Sequence, residues 1–159
     1  MAAPMNQEEL DEATVDGIDA IQSLYNHEQI KQELHWFTYR EALERAVERN
    51  DRTIFYRPDP HGEQVIGASM VWCESRVLDE GEAQIRLIAV HPDHRNQDLG
   101  RTLVNHSEDF ARSFNKHRLI AEASTNSPSL NFWSTVGFSK QRKRTTDGGR
   151  EMVILEKKL

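Results

Sequence analysis

Residues 87–101, Leu87-Ile88-Ala89-Val90-His91-Pro92-Asp93-His94-Arg95-Asn96-Gln97-Asp98-Leu99-Gly100-Arg101, constrain the fold more than any other part of the chain. An apolar strand runs out through a proline-bearing turn, crosses a polar, basic loop and enters a helix at once. That helix, from about Leu99 to Phe114, carries Leu99, Leu103, Phe110 and Phe114 on one face, with Ala111 beside it. A second apolar strand, Arg118 to Ala123, follows directly. A strand–helix–strand unit of this kind implies a parallel strand pair, since a helical crossover cannot close a hairpin.

The other elements read as antiparallel strands and helices around that unit. A short helix is expected from about Asp16 to Tyr25, with Ile18, Ile21 and Leu24 at helical spacing. Asn26 to Phe37 reads as an irregular polar-aromatic stretch, and His27 to Tyr39, holding His35, Trp36, Phe37 and Tyr39 among charges, suits a substrate wall or plain packing. Thr38-Tyr39-Arg40-Glu41 has the form of a capping box opening a second helix. Strands follow at Thr53–Tyr56, Val65–Cys73 and Ala83–Val90, with turns at Asp59–Gly62 and Asp79–Gly81. Ser127-Pro128 should open a short helix that ends at Gly137. A strand from Phe138, the turn Asp147-Gly148-Gly149 and the run Met152–Leu155 complete the sheet. The fold class is therefore mixed α/β (α+β), with a mostly antiparallel sheet, one parallel pair and flanking helices. The 159 residues suffice for one core. Residues 1–12 read as a loose acidic arm and 13–159 as a single domain.

Composition removes several function classes. The formal charge of -6 disfavours nucleic acid as a partner, although Lys140-Gln141-Arg142-Lys143-Arg144 is one dense basic run. A charged edge strand that blocks sheet-to-sheet association is the preferred meaning of that run. A single cysteine, Cys73, excludes an internal disulfide framework and reads as core. The seven histidines form no His-Glu-x-x-His pattern, so no metal is expected. No apolar run reaches membrane-spanning length and the first residues lack a secretory pattern, so a reducing cytoplasm is the expected compartment.

The chemistry starts at the loop before the long helix. Unpaired N–H groups and the helix dipole favour an anion there, and Arg95 and Arg101 add full positive charge. These residues alone describe either a phosphate cradle or an ordinary strand–turn–helix joint with solvated arginines.

The same residues resemble the GNAT superfamily of acyl-CoA-dependent N-acyltransferases. The family's coenzyme loop, Gln/Arg-x-x-Gly-x-Gly/Ala after Ala-Val-x-Pro, is similar to Ala89-Val90-His91-Pro92 followed by Arg95 and Gly100. A second stretch resembles the family at its later short helix, in Asn126, Ser129, Phe132-Trp133 and Gly137-Phe138. The resemblance implies acetyl-CoA as co-substrate, an amine acceptor and direct attack in a ternary complex. It implies that the coenzyme contacts Ile88, Ala89, Val90, Arg95, Asn96, Gln97, Asp98, Leu99, Gly100, Arg101, Thr102, Asn126, Ser129 and Trp133. Backbone N–H near Ile88 would polarise the thioester carbonyl. Relatives often pair, so a homodimer is compatible with it.

Four positions depart from the family pattern, the first being Asn96, which follows Arg95 where glycine is common and likewise tolerates a left-handed backbone. Asp98 replaces the middle glycine; Asp tolerates a left-handed backbone but brings a negative charge to the cradle. Trp133 stands where many relatives carry the tyrosine that protonates the thiolate; indole has no such proton, so it packs against the pantetheine or in the core. Gln84 stands where a glutamate base is frequent. Glu82, on the same strand face, and Glu122, which interrupts an apolar strand where burial would raise its pKa, are the base candidates. Each also reads as an edge or solvated carboxylate. Glu74, Asp79, Glu80 and Glu82 lean toward a cationic amine. The competing reading is a catalytically degenerate domain of the same fold, serving as an acyl-CoA sensor or interaction module.

Overall fold

The structure, a computed structural model, describes residues 10–34, 38–95 and 98–159. Its sheet has seven strands: β1 (Asp11–Glu12), β2 (Arg52–Pro58), β3 (Val65–Trp72), β4 (Glu82–Val90), β5 (Arg118–Ser124), β6 (Ser139–Thr145) and β7 (Glu151–Lys158). Their order across the sheet is β1-β2-β3-β4-β5-β7-β6, and every neighbouring pair is antiparallel except β4–β5. The helices are α1 (Ile18–Tyr25), α2 (Glu28–Leu34), α3 (Arg40–Glu48), α4 (Leu99–Ser113) and α5 (Leu130–Thr135). No helix among the described residues is long and apolar enough to cross a membrane.

Strand alternation divides the core between the two faces of the sheet. Val71, Ile85, Leu119, Ala121, Val153 and Leu155 pack with Val104 and Ala111 of α4 and Trp133 of α5. Their strand neighbours Met70, Ala68 and Ala89 face the other way and pack with Ile18, Ile21, Leu24 and Tyr25 of α1 and Leu43 of α3.

The parallel pair stays bonded only at its start. Glu82, Ala83 and Gln84 register with Arg118, Leu119 and Ile120, and no pairing continues beyond them. Just there β4 is bulged: Met70 opposes Leu87 while Val71 opposes Ile85, leaving Arg86 as the extra residue. A bulge increases twist and bends its strand, which turns the rest of β4 away from β5.

Several local features differ from the sequence-based expectation. Residues 28–34 are helix α2 rather than irregular chain; Ile30 is its one buried residue, too little for a periodic signal. The capping box at Thr38 does not form. Helix α3 begins at Arg40 with Tyr39 at the N-cap and no side-chain cap, and the buried Thr38 is held by α1's end instead. Its N–H donates to Asn26 Oδ1 (2.8 Å) and its carbonyl accepts from Asn26 Nδ2 (2.9 Å) and Gln22 Nε2 (3.2 Å). Asp11 and Glu12, expected in the arm, pair with Tyr56 and Phe55 as β1. Helix α5 starts at Leu130, two residues later than a Pro128 start requires, because Ser127 Oγ accepts the Ser129 N–H in a preceding turn (3.1 Å).

Gly137 ends α5 as expected, at φ 98°. The Phe138 N–H bonds the Trp133 carbonyl (2.9 Å) and the Gly137 N–H bonds that of Ser134 (3.1 Å), a Schellman arrangement. The accompanying apolar contact is the Phe138 ring edge-on to Trp133, with centroids 4.9 Å apart.

Candidate active site

The open gap between β4 and β5 is the centre of the site. The His91 N–H donates to the Ile66 carbonyl (2.8 Å), which fixes the phase of the β3–β4 ladder. Alternation then turns the backbone of Ala89 toward Ala68, and the N–H and C=O groups of Ile88 and Val90 toward the gap. Arg95 Nε reaches the Val90 carbonyl from that side (3.1 Å). At the bulge, Tyr25 Oη donates to the Leu87 carbonyl (3.1 Å). Burial drives the Tyr25 phenol far above its ordinary pKa, so it stays a donor. Sequence reading assigned Tyr25 only to a helix; nothing in its spacing points to a residue of β4.

A cavity of about 890 Å³ opens along this gap. Ile88, Ala89, Val90, Asp98, Gly100 and Arg101 are in its wall, as are Arg95, Leu99, Ser129 and Trp133. Asn96 and Gln97 lie outside the described residues. Asn126 is exposed and absent from the described wall. Thr102 also lies off the wall; its hydroxyl and N–H both turn back to the Asp98 carbonyl (3.1 Å each) in the first turn of α4.

Asp98 caps α4 at φ 59°, ψ 13°, the left-handed conformation for which glycine is the usual choice, and makes no side-chain capping bond. The exposed Arg101 follows in the first turn of α4. Gly100 has a packing reason of its own: a Cβ there would meet Phe132 Cε1 at 2.8 Å. Arg95 departs from its expected role. Its Nη2 and Nη1 bond both carboxylate oxygens of Glu33 on α2 (2.8 and 3.2 Å), so its guanidinium locks α2 to the loop rather than standing free for a phosphate. Glu33 gave no signal in the sequence because its helix gave none.

The base candidates separate in space. Glu82 is off the cavity wall; its carboxylate accepts from the Asp79 N–H (2.9 Å) and lies 3.5 Å from Arg118. Glu122 is in the wall, but both its oxygens are held by Arg144 (2.7 and 2.9 Å). Arg144 comes from the basic run, which forms the exposed edge strand β6. Gln84 faces the same cavity and accepts from Arg86 Nη1 (3.3 Å). Glu74 pairs with Lys116 (2.9 Å), and none of Glu74, Asp79, Glu80 and Glu82 is in the described wall.

Trp133 is 3% exposed and belongs to the core between α4 and the sheet, edge-on to Phe132 and Phe138. Cys73 is buried too, and desolvation pushes its thiol up to about 12. His27, His91 and His94 stack edge to edge beside the loop, with centroids 5.0 and 5.7 Å apart. Among the described residues no group of three or more His, Cys, Asp or Glu could hold a metal ion.

A sheet split at a bulge, with outward-facing backbone on one lip and a helix N-terminus at its mouth, defines the GNAT class of fold. The sequence profile of the Acetyltransferase (GNAT) family matches residues 18–138, and the chain belongs to that family. The ribosomal-protein-alanine N-acetyltransferase of Brucella melitensis superposes with a TM-score of 0.73 at 18% identity, covering 95% of this chain and 99% of that one. The PaiA N-acetyltransferase of Thermoplasma acidophilum, solved in complex with coenzyme A, gives 0.72 at 15% identity, with coverage of 95% and 98%. The ribosomal-protein-S18-alanine N-acetyltransferase of Escherichia coli gives 0.71 at 16%, with coverage of 94% and 92%. No curated protein sequence matches the chain.

Proposed function

We infer that this protein is an acetyl-CoA-dependent N-acetyltransferase acting on a primary amine. The observation that carries the reading is the β4–β5 gap, where the backbone of Ile88 and Val90, turned away from β3, faces a cavity that ends at the start of α4. Those groups suit an amide-bearing, extended arm, and the first turn of α4 with Arg101 suits phosphates. When bound, acetyl-CoA supplies the activated acetyl group: the acceptor nitrogen gains the C–N bond, the C–S bond breaks, and the proton lost by nitrogen ends on the thiol.

The chain's own contribution is mostly positional. The Ile88 N–H polarises the carbonyl beside it. Glu122, the carboxylate of the cavity wall next to the gap, takes the amine proton through water while Arg144 holds its orientation. Trp133 has no acidic proton to give, so the departing thiolate is protonated from solvent. Calorimetric titration with acetyl-CoA, with CoA as control, followed by thiol release over a panel of amines, tests the reading. Saturable micromolar binding and amine-dependent thiol release are expected; no binding at millimolar ligand refutes it. The buried Trp133 at the acid position favours one second reading, a domain that binds acyl-CoA without turning it over; binding with no thiol release from any amine would be its signature.

A further inference from the structure

The cavity wall beyond α1–α3 carries cations and buried donors without partners. Two guanidiniums lie over the Trp72 ring, that of Arg52 at 3.6 Å and that of Arg86 at 4.5 Å from its centroid. Arg52 is already satisfied, by Asp51 (3.0 Å) and the Glu74 carbonyl (3.2 Å). Arg86, the extra residue of the bulge, bonds only the neutral Gln84 side chain, and among the described residues no carboxylate lies within ion-pair distance of it. Trp72 Nε1 is buried and bonds nothing among the described residues, and the same is true of Arg150 Nε in the same wall. Glu122, the nearby carboxylate, is committed to Arg144 through both oxygens.

Buried donors left without acceptors are costly, and a site holding several is completed by a ligand that brings acceptors. The excess is cationic: the exposed Arg86 feels the charge of Glu122 without pairing with it, Glu122 is bonded to Arg144, and among the described residues neither Arg86 nor Arg150 has an ion pair. A guanidinium fork beside an indole N–H matches the paired oxygens of a carboxylate. We propose that the acceptor amine carries a carboxylate, seated by Arg86 and the Trp72 Nε1–H. This rests on the acetyl-transfer reading and narrows it. The same cationic wall helps the chemistry, because positive charge nearby lowers the pKa of an incoming ammonium and leaves more of it as the neutral nucleophile.

The test uses the full chain with three acceptors: an amino acid, its amide, and an aminoalkyl phosphate. The first readout is the Trp72 indole N–H resonance, identified by its loss in Trp72→Phe. The second is kcat/KM from thiol release. The resonance is expected to shift saturably with the amino acid and not with the amide. The acid-to-amide ratio of kcat/KM is expected to be about 10 to 100, in line with a charge-assisted contact. It should fall toward one in Arg86→Gln and recover in part in Arg86→Lys. An indole shift with the phosphate but not the carboxylate overturns the carboxylate assignment. No shift with either anion, or an acid-to-amide ratio near one that Arg86→Gln leaves alone, overturns the subsite. A carboxylate-specific shift without any acetyl transfer supports the subsite and refutes the transfer reading instead.

Discussion

Replacing Asp98 tests the coenzyme cradle directly, since it alters charge and backbone at the mouth of the gap. A carboxylate and a phosphate charge about 7 Å apart repel by about 0.6 kcal/mol in water and about 2.4 kcal/mol at an effective dielectric of 20. Asp98 is exposed, so solvent and salt push the value toward the lower figure, about 0.5–1 kcal/mol, or a two- to fivefold change in Kd. The backbone has its own share. Holding a non-glycine residue left-handed costs about 1–2 kcal/mol, least for Asn and Asp, and Asp98→Gly removes that cost. It also removes a carboxylate from the positive end of α4, worth about 0.3–1 kcal/mol. The two nearly cancel, so Tm should move little while acetyl-CoA binds more tightly. Asp98→Asn separates the causes, because it keeps a side chain that tolerates the left-handed region and loses only the charge. Calorimetric titration of wild type, Asn and Gly variants should show the two- to fivefold gain in both variants at low salt. The gain should vanish at about 1 M salt, where the Debye length is about 3 Å. Unchanged affinity in both variants at low salt, or a gain that survives high salt, would refute an electrostatic cradle at this turn.

Four other outcomes follow from the packing and the charges. Gly100→Ala drives a Cβ to 2.8 Å from Phe132, so the ring must move; a loss of about 1–3 kcal/mol is expected, visible as a lower Tm. Trp133→Tyr puts a hydroxyl into an apolar core and should destabilise by about 1–3 kcal/mol without raising kcat; a tenfold gain in kcat would mean that the position does deliver a proton. Glu122→Gln should lower kcat by about 100-fold, measured by thiol release, while calorimetric affinity for acetyl-CoA holds; an unchanged kcat would remove Glu122 from proton transfer. Cys73, its thiol raised to about 12, should resist alkylation in the folded protein at pH 8–9, and its contribution to stability should be intact below the unfolded thiol pKa and be lost as pH rises toward 12; rapid labelling without unfolding would contradict its burial.

The strand–helix–strand unit was legible because each part carries its own local signal: an apolar run, a proline turn and a helix with one apolar face. The parallel pair followed from connectivity alone. Helix α2 was not legible, since it buries only Ile30 and so lacks the stripe on which periodicity depends. The false capping box at Thr38 shows another limit. Its sequence pattern is right, yet Asn26, in the turn after α1, takes the Thr38 N–H that the Glu41 carboxylate would have to accept from. Site residues divide the same way. The left-handed backbone at Asp98 is compatible with the residue type, which the sequence offered only as a tolerance at a position where the family carries glycine, whereas the capture of Arg95 by Glu33 needed α2 to be in place. Trp133 left two readings open in the sequence, and the edge-on rings of Phe132 and Phe138 make it a core residue.

The departures from the family pattern fall on side chains, while the features that fit an acyl-CoA are made by backbone. Asp98, Trp133 and Gln84 change the side chains of the cavity wall. The bulge at Arg86, the outward-facing lip at Ile88 and Val90 and the first turn of α4 arise from register, strand splay and helix geometry, and no single side chain supplies them. A site built this way loses affinity by increments when its polar residues drift, instead of losing its shape. Side-chain identity is then free to vary along the rest of the cavity, where Arg86 occupies the bulge and Arg144 engages Glu122. On the proposed reading, the backbone of the gap holds the donor, and the acceptor meets a wall where the buried Trp72 Nε1 and Arg150 Nε bond nothing among the described residues.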